Sequence, residues 1–133
     1  MSALIEEFKK EHSEIIEAFK EVNELGVLTK EGHSKLMYLL SDLLKHLWHE
    51  DERLYSVLRK ASEHNKELKE ILSSFINGLG VIHEKVLQFM TKYYKGDLNS
   101  NFHREYERLL GALSKRIEYE EEILFLEYKT LNH

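Results

Sequence analysis

The chain has 133 residues, enough for a single core that buries roughly two thirds of the unfolded surface, and it carries 24 acidic against 19 basic residues for a net charge of -5. Lysine and arginine are interspersed with acids, which excludes the concentrated basic face of a nucleic-acid binder. Cysteine and proline are both absent, so thiolate ligands, disulfides and iron-sulfur ligation by this chain are excluded, and helices run without their commonest breaker.

Apolar residues at spacings of three and four predict a first helix from about residue 2 to 25, with Ile5, Phe8, Ile15, Phe19 and Val22 on one side and His12 inside that stripe. Thr29 is a candidate N-cap for a second helix from about 30 to 58. Its stripe runs through Leu36, Leu40, Leu43, Leu47, Leu54 and Leu58, and the adjoining row through Leu39 and Leu43 continues to positions 46 and 50, so His46 and Glu50 point inward together. A third helix is expected from Ser62 or Glu63 to about 94. It carries His64 one turn before Leu68, with Gly78 and Gly80 marking a place where it can bend. KGDLNSN at 95–101 reads as a loop, and a last helix from about 102 to 130 carries Tyr106, Leu109, Leu113, Ile117 and Leu124, with Arg116 and Glu120 along or beside its stripe.

Four helices with short connections predict an all-α, up-down-up-down antiparallel four-helix bundle, one domain over residues 1–133. The start of the chain lacks a signal-peptide core, and no segment approaches the roughly 20 apolar residues of a membrane span. The expected compartment is the cytoplasm, with no membrane and no nucleic acid among the partners.

Two segments resemble each other: HLWHEDERLYSVL at 46–58 and RIEYEEEILFLEY at 116–128. Both keep a glutamate (Glu50, Glu120), a following acid (Asp51, Glu121) and an apolar pair, but His46 in the first stands against Arg116 in the second. His-x-x-x-Glu spacing places both side chains on one face about a turn apart. His12, His46, Glu50, His64 and Glu120 all interrupt or adjoin apolar stripes at depths that an antiparallel bundle can match. Three imidazoles and two carboxylates suit iron or another first-row divalent ion, and burying such groups with nothing to satisfy them is costly.

With those residues in view, the chain resembles the hemerythrin-like, or HHE cation-binding, family over nearly all its length. The resemblance implies a hemerythrin-like bundle around a non-haem iron centre whose ligands run His, His-x-x-x-Glu, His, His-x-x-x-Glu. They fall on His12 in EEFKKEHSEII, His46 and Glu50 in KHLWHEDERLY, His64 in SEHNKELKEIL, and Arg116 and Glu120 in KRIEYEEEILF. Five of the six places are kept. Arginine has no acceptor and is no ordinary metal ligand. Two expectations stand side by side: an iron centre of two ions, or one, binding O2 or NO or handling iron; and a metal-free structural or interaction bundle in which Arg116 pairs with Glu50 and Glu120.

Tyr119 and His49 are candidates for supporting the centre, with Tyr55 and Trp48 as further aromatic neighbours. Asp51 and Glu121 read as exposed acids, His33, His103 and His133 as solvated, and His83 as too far along its helix from His64 to share a site. Tyr93 and Tyr94 offer a surface for a homodimer. No catalytic triad, phosphate-binding glycine loop or hydrolase motif is present, so no enzyme class is assigned.

Overall fold

A computed structural model describes residues 3–26, 29–95 and 101–131. Helix α1 spans Ala3–Leu25 and stops at Gly26, whose positive φ of 85° lets its N–H return to the Val22 carbonyl. The Thr29 side chain accepts a hydrogen bond from Gly32 N at 2.9 Å and starts α2, Lys30–Glu50. The turn is tight: a Cβ on Gly32 would lie 2.0 Å from the Gly26 carbonyl oxygen.

From Glu50 the chain winds without interruption through a π-helical turn, Asp51–Tyr55, into α3, Ser56–Ser62. Asn65 then caps α4, Lys66–Tyr93, through a hydrogen bond from Leu68 N at 3.1 Å. The third rod therefore begins at Lys66, not at Ser62 or Glu63, because an extended Asn65 separates the end of α3 from the start of α4. Despite Gly78 and Gly80, α4 is one continuous helix. Of the loop expected at 95–101, residues 96–100 lie outside the described residues, as do residue 2 of the first expected helix and His133. The last rod is α5, Phe102–Tyr119, a second π-helical turn, Glu120–Leu124, and α6, Phe125–Leu131.

The rods close into a four-helix bundle: α1 packs on α2, α2 on α4, α4 on α5, and α5 back on α1. The expected stripes form its core, including Ile5, Phe8 and Phe19 from α1, Leu36, Leu40 and Leu43 from α2, Leu72 and Val86 from α4, and Tyr106, Leu109 and Leu113 from α5. Each large apolar side chain buried in this way contributes roughly 1.5–3 kcal/mol. Tyr93 belongs to this core, fully buried with its hydroxyl donating to Glu105, so only Tyr94 of the expected surface pair is exposed. His33 is half-buried, 2.7 Å from the Tyr93 carbonyl, and ties α2 to the end of α4. No helix among the described residues is long and apolar enough to cross a membrane.

Five polar residues are buried among these apolar layers: His12, His46, Glu50, Ser62 and Glu120. All but Ser62 belong to one cluster at mid-bundle. The two π-helical turns begin beside it, one immediately after Glu50 and the other at Glu120. A π-helical turn adds a residue to the local repeat and re-aims the side chains beyond it, and such turns occur often at functional sites.

Candidate metal centre

The cluster is built from four inward positions on three rods. His12 enters from α1, His46 and Glu50 from one face of α2, and Glu120 from the last rod. The rings of His12 and His46 lie 4.8 Å apart, edge to face. Both Nε2 atoms point inward. His46 Nε2 lies 2.9 Å from Glu50 Oε1, and His12 Nε2 lies 3.8 Å from Glu50 Oε2 and 3.4 Å from Glu120 Oε1. His12, His46 and Glu50 each offer a ligand atom, all within 4.8 Å of one another.

The outward nitrogens are held by carboxylates. His12 Nδ1 is 2.8 Å from Glu121 Oε2, and His46 Nδ1 is 2.6 Å from Glu11 Oε1. These contacts hold Nδ1 on the carboxylate side and leave Nε2 as the inward nitrogen, the one that would give up its proton to an incoming ion, the arrangement that orients a metal-ligating imidazole. Aromatic rings fix the same geometry: Phe125 stacks on His12 with centroids 5.6 Å apart, and Phe8 meets His46 edge-on at 5.7 Å.

Next to the imidazoles lies a second group of contacts. The Tyr55 hydroxyl donates to Glu120 Oε2 at 2.9 Å, and Arg116 Nη2 donates to the Tyr55 oxygen at 2.6 Å and to the Phe75 carbonyl at 2.9 Å. Arg116 Nη2 is also 3.4 Å from Glu120 Oε2. The expected pairing of Arg116 with both glutamates is thus found for Glu120 and not for Glu50, because the guanidinium is drawn toward Tyr55 and the α4 backbone.

Electrostatics follow from burial and these neighbours. Burial opposes charge on His12, but Glu120 and Glu50 outweigh it and hold the imidazole up at about 10. Burial likewise opposes charge on His46, and Glu50 again reverses the balance and raises it. Burial alone would raise Glu50, yet the imidazoles of His12 and His46 hold its carboxyl well below the usual range. Burial, joined by the charge of Glu50, pushes Glu120 up to about 7. Burial and the charge of Glu120 push the Tyr55 phenol far up, so it acts as a neutral donor.

In spite of these attractions, His12 Nε2, His46 Nε2 and Glu50 Oε2 have no hydrogen-bond partner among the described residues. The three atoms border a cavity of about 10 Å3, also lined by Glu120, Arg116 and the apolar side chains of Leu43, Leu47, Leu113 and Ile117. That is near the space of one small occupant. Two inward imidazole nitrogens and a carboxylate oxygen, all buried and unsatisfied around a space of this size, fit a divalent cation with nitrogen and oxygen ligands, which would displace the imidazole protons. A far larger groove of about 1040 Å3 runs outside, between α1 and α2, and meets the cluster only at His46 and Glu11.

His64 is not brought to this cluster. It is exposed in the turn after α3, because Asn65 starts α4 only at Lys66 and leaves His64 outside either helix. The stretch of α4 that faces Arg116 presents Phe75 and Gly78 instead. His83 is exposed, and so is Tyr119, while half-buried His49 packs against exposed Trp48 and not against the cluster.

Two contributors escaped the sequence reading. Glu121 is no idle surface acid, since it holds His12; its neighbours in the EEE run gave it no distinguishing mark. Glu11 sits beside His12 in the chain yet serves His46 on the next helix, a pairing that only helix packing creates. Of the aromatics expected near the centre, Tyr55, not Tyr119, supplies the hydroxyl, being fully buried at the end of the first π-helical turn whereas Tyr119 is exposed. Asp51, by contrast, expected as an exposed acid, is half-buried with its side chain still open to solvent, and pairs with Arg59 at 2.6 Å.

Comparison with known proteins agrees with this geometry. Neither curated proteins nor solved structures returned a match to the chain. A family model, described as the hemerythrin HHE cation binding domain, matches residues 3–128, which includes every residue of the cluster. With that match spanning almost the whole chain, the protein belongs to the hemerythrin HHE cation-binding domain family.

Proposed function

We propose that this chain is a non-haem iron-binding protein that binds or senses O2 or NO, or handles iron, through His12, His46, Glu50 and Glu120. The observation that carries the reading is the set of inward, buried and unsatisfied atoms, His12 Nε2, His46 Nε2 and Glu50 Oε2, whose imidazoles are held from behind by Glu121 and Glu11. An unpaired buried polar atom costs about 1–3 kcal/mol, and one cation with nitrogen and oxygen preferences satisfies all three. A ferrous ion held there would supply redox chemistry and a coordination position for a diatomic ligand. The protein supplies fixed imidazoles, two carboxylates and an apolar wall of Leu43, Leu47, Leu113 and Ile117 that limits water.

The metal-free reading has support from one contact, the Arg116–Glu120 approach at 3.4 Å. It leaves the three inward atoms unsatisfied, and for that reason it ranks second.

The test is metal content per chain by elemental mass spectrometry on untagged protein, before and after anaerobic reconstitution with ferrous iron. Bound iron whose absorption spectrum changes on adding NO or O2 is the expected result. Protein that stays free of metal after reconstitution would return the chain to the structural reading.

A further inference from the structure

The half of the cluster on the Arg116 side is already filled by protein. Glu50 directs both oxygens toward the imidazoles, Oε1 to His46 and Oε2 to His12. Glu120 is divided: Oε1 faces His12, while Oε2 is taken by the Tyr55 hydroxyl and approached by Arg116. A carboxylate that bridged two ions would need that second oxygen free.

The guanidinium is seated, not merely nearby. Nη2 is fixed by Tyr55 and the Phe75 carbonyl, and the α4 backbone opens for Nη1 at Gly78, where a Cβ would stand 2.6 Å from it. The charge lies over the Phe75 ring at 5.8 Å. Among the described residues, α4 turns no imidazole toward this pocket, since His83 is exposed and His64 lies outside the helix.

We infer that Arg116 is the resident cation of this half of the centre, seated by Gly78, Tyr55 and the Phe75 carbonyl, and that it restricts the site to one divalent ion held by His12, His46, Glu50 and Glu120 Oε1. The inference rests on the metal-binding reading above. It adds that a permanent +1 charge stands beside the ion, spaced from it by Glu120. Two consequences follow. The centre saturates at one equivalent, and the ion is held against a like charge, so removing that charge strengthens binding.

The experiment titrates the metal-free protein with Co(II), with Mn(II), and anaerobically with Fe(II), followed by desalting, elemental analysis and EPR of the Mn(II)-loaded and air-oxidised iron forms. One ion per chain with the spectrum of an isolated ion is expected. Two ions per chain, or the spectrum of a magnetically coupled pair, overturn this inference and leave the binding reading standing. No ion overturns both.

The charge is tested separately with Arg116→Met, which keeps most of the volume. It should still take one ion, and bind it at least about tenfold more tightly, through loss of the like charge and release of Glu120. Affinity that is unchanged or weaker in a variant shown to be folded by circular dichroism overturns the placement of the charge beside the ion. If Arg116→Met does not fold, Arg116→Gln carries the same measurement, and the wild-type stoichiometry decides the ion count in either case.

Discussion

Segments 46–58 and 116–128 run through the same local architecture and finish with opposite chemistry. Each places a glutamate at the mouth of a π-helical turn and buries the apolar residue four places on, Leu54 or Leu124. The first segment then offers His46 as a candidate ligand and turns Asp51 outward to Arg59. The second provides Arg116 as a cation and turns Glu121 inward to His12. At the next matched place Tyr55 contributes a hydroxyl to Glu120, while Phe125 contributes only a ring against His12. A shared backbone scaffold therefore presents a ligand half and a charge half. One differing side chain, His46 in one segment against Arg116 in the other, changes what its neighbours must do.

The most severe disruption should come from the charge half. Arg116→Ala leaves Glu120 without its cation and Tyr55 without its donor, with an expected loss of about 3–5 kcal/mol in urea-monitored stability, the scale for breaking a buried pair. A loss near zero would show that the guanidinium contributes nothing to the fold.

On the ligand half, His46→Ala should lower ferrous or Co(II) affinity by more than about 100-fold, beyond the roughly 10–100-fold typical of an outer partner. Retention of wild-type affinity in calorimetric titration would remove His46 from the ligand set.

The matched acids give the sharpest contrast. Glu121→Ala releases His12 Nδ1 and is expected to weaken metal binding by about 10–100-fold. Asp51→Ala breaks only an exposed pair, worth about 0–1 kcal/mol, and should leave metal affinity unchanged. Equal effects at the two positions would mean that the inward turn of Glu121 has no functional weight.

Tyr55→Phe removes one hydroxyl between Arg116 and Glu120 and acts on stability alone. The expected destabilisation is about 1–3 kcal/mol by thermal denaturation, the range for leaving a buried partner unsatisfied.

Much of this was readable beforehand because helical periodicity converts spacing into direction. His12, His46, Glu50 and Glu120 lie on or beside apolar stripes, and packing those stripes inward carries the polar residues with them to one level of the bundle. His64 shows where that reasoning ends. Its place one turn before Leu68 promised an inward direction, but that holds only if the helix has already begun, and the Asn65 cap begins it later. Glu121 shows the opposite error: three adjacent acids have one composition and three directions, and the π-helical turn at Glu120 resets which of them faces the core.

The amino-acid sequence by itself determined the helical class, the four rods and the inward rows that carry His12, His46, Glu50 and Glu120, since these depend on local propensity and a 3.6-residue period. It also set the chemical boundary conditions, with no thiolate available and Arg116 at the place that matches His46 in the other segment. Only the tertiary structure decided that Glu11 serves His46, that Glu121 serves His12, and that Arg116 rests against Gly78 and Tyr55. Those contacts join residues on different rods, and their distances depend on how the helices dock and where the π-helical turns shift their phase, which no spacing within a single helix encodes.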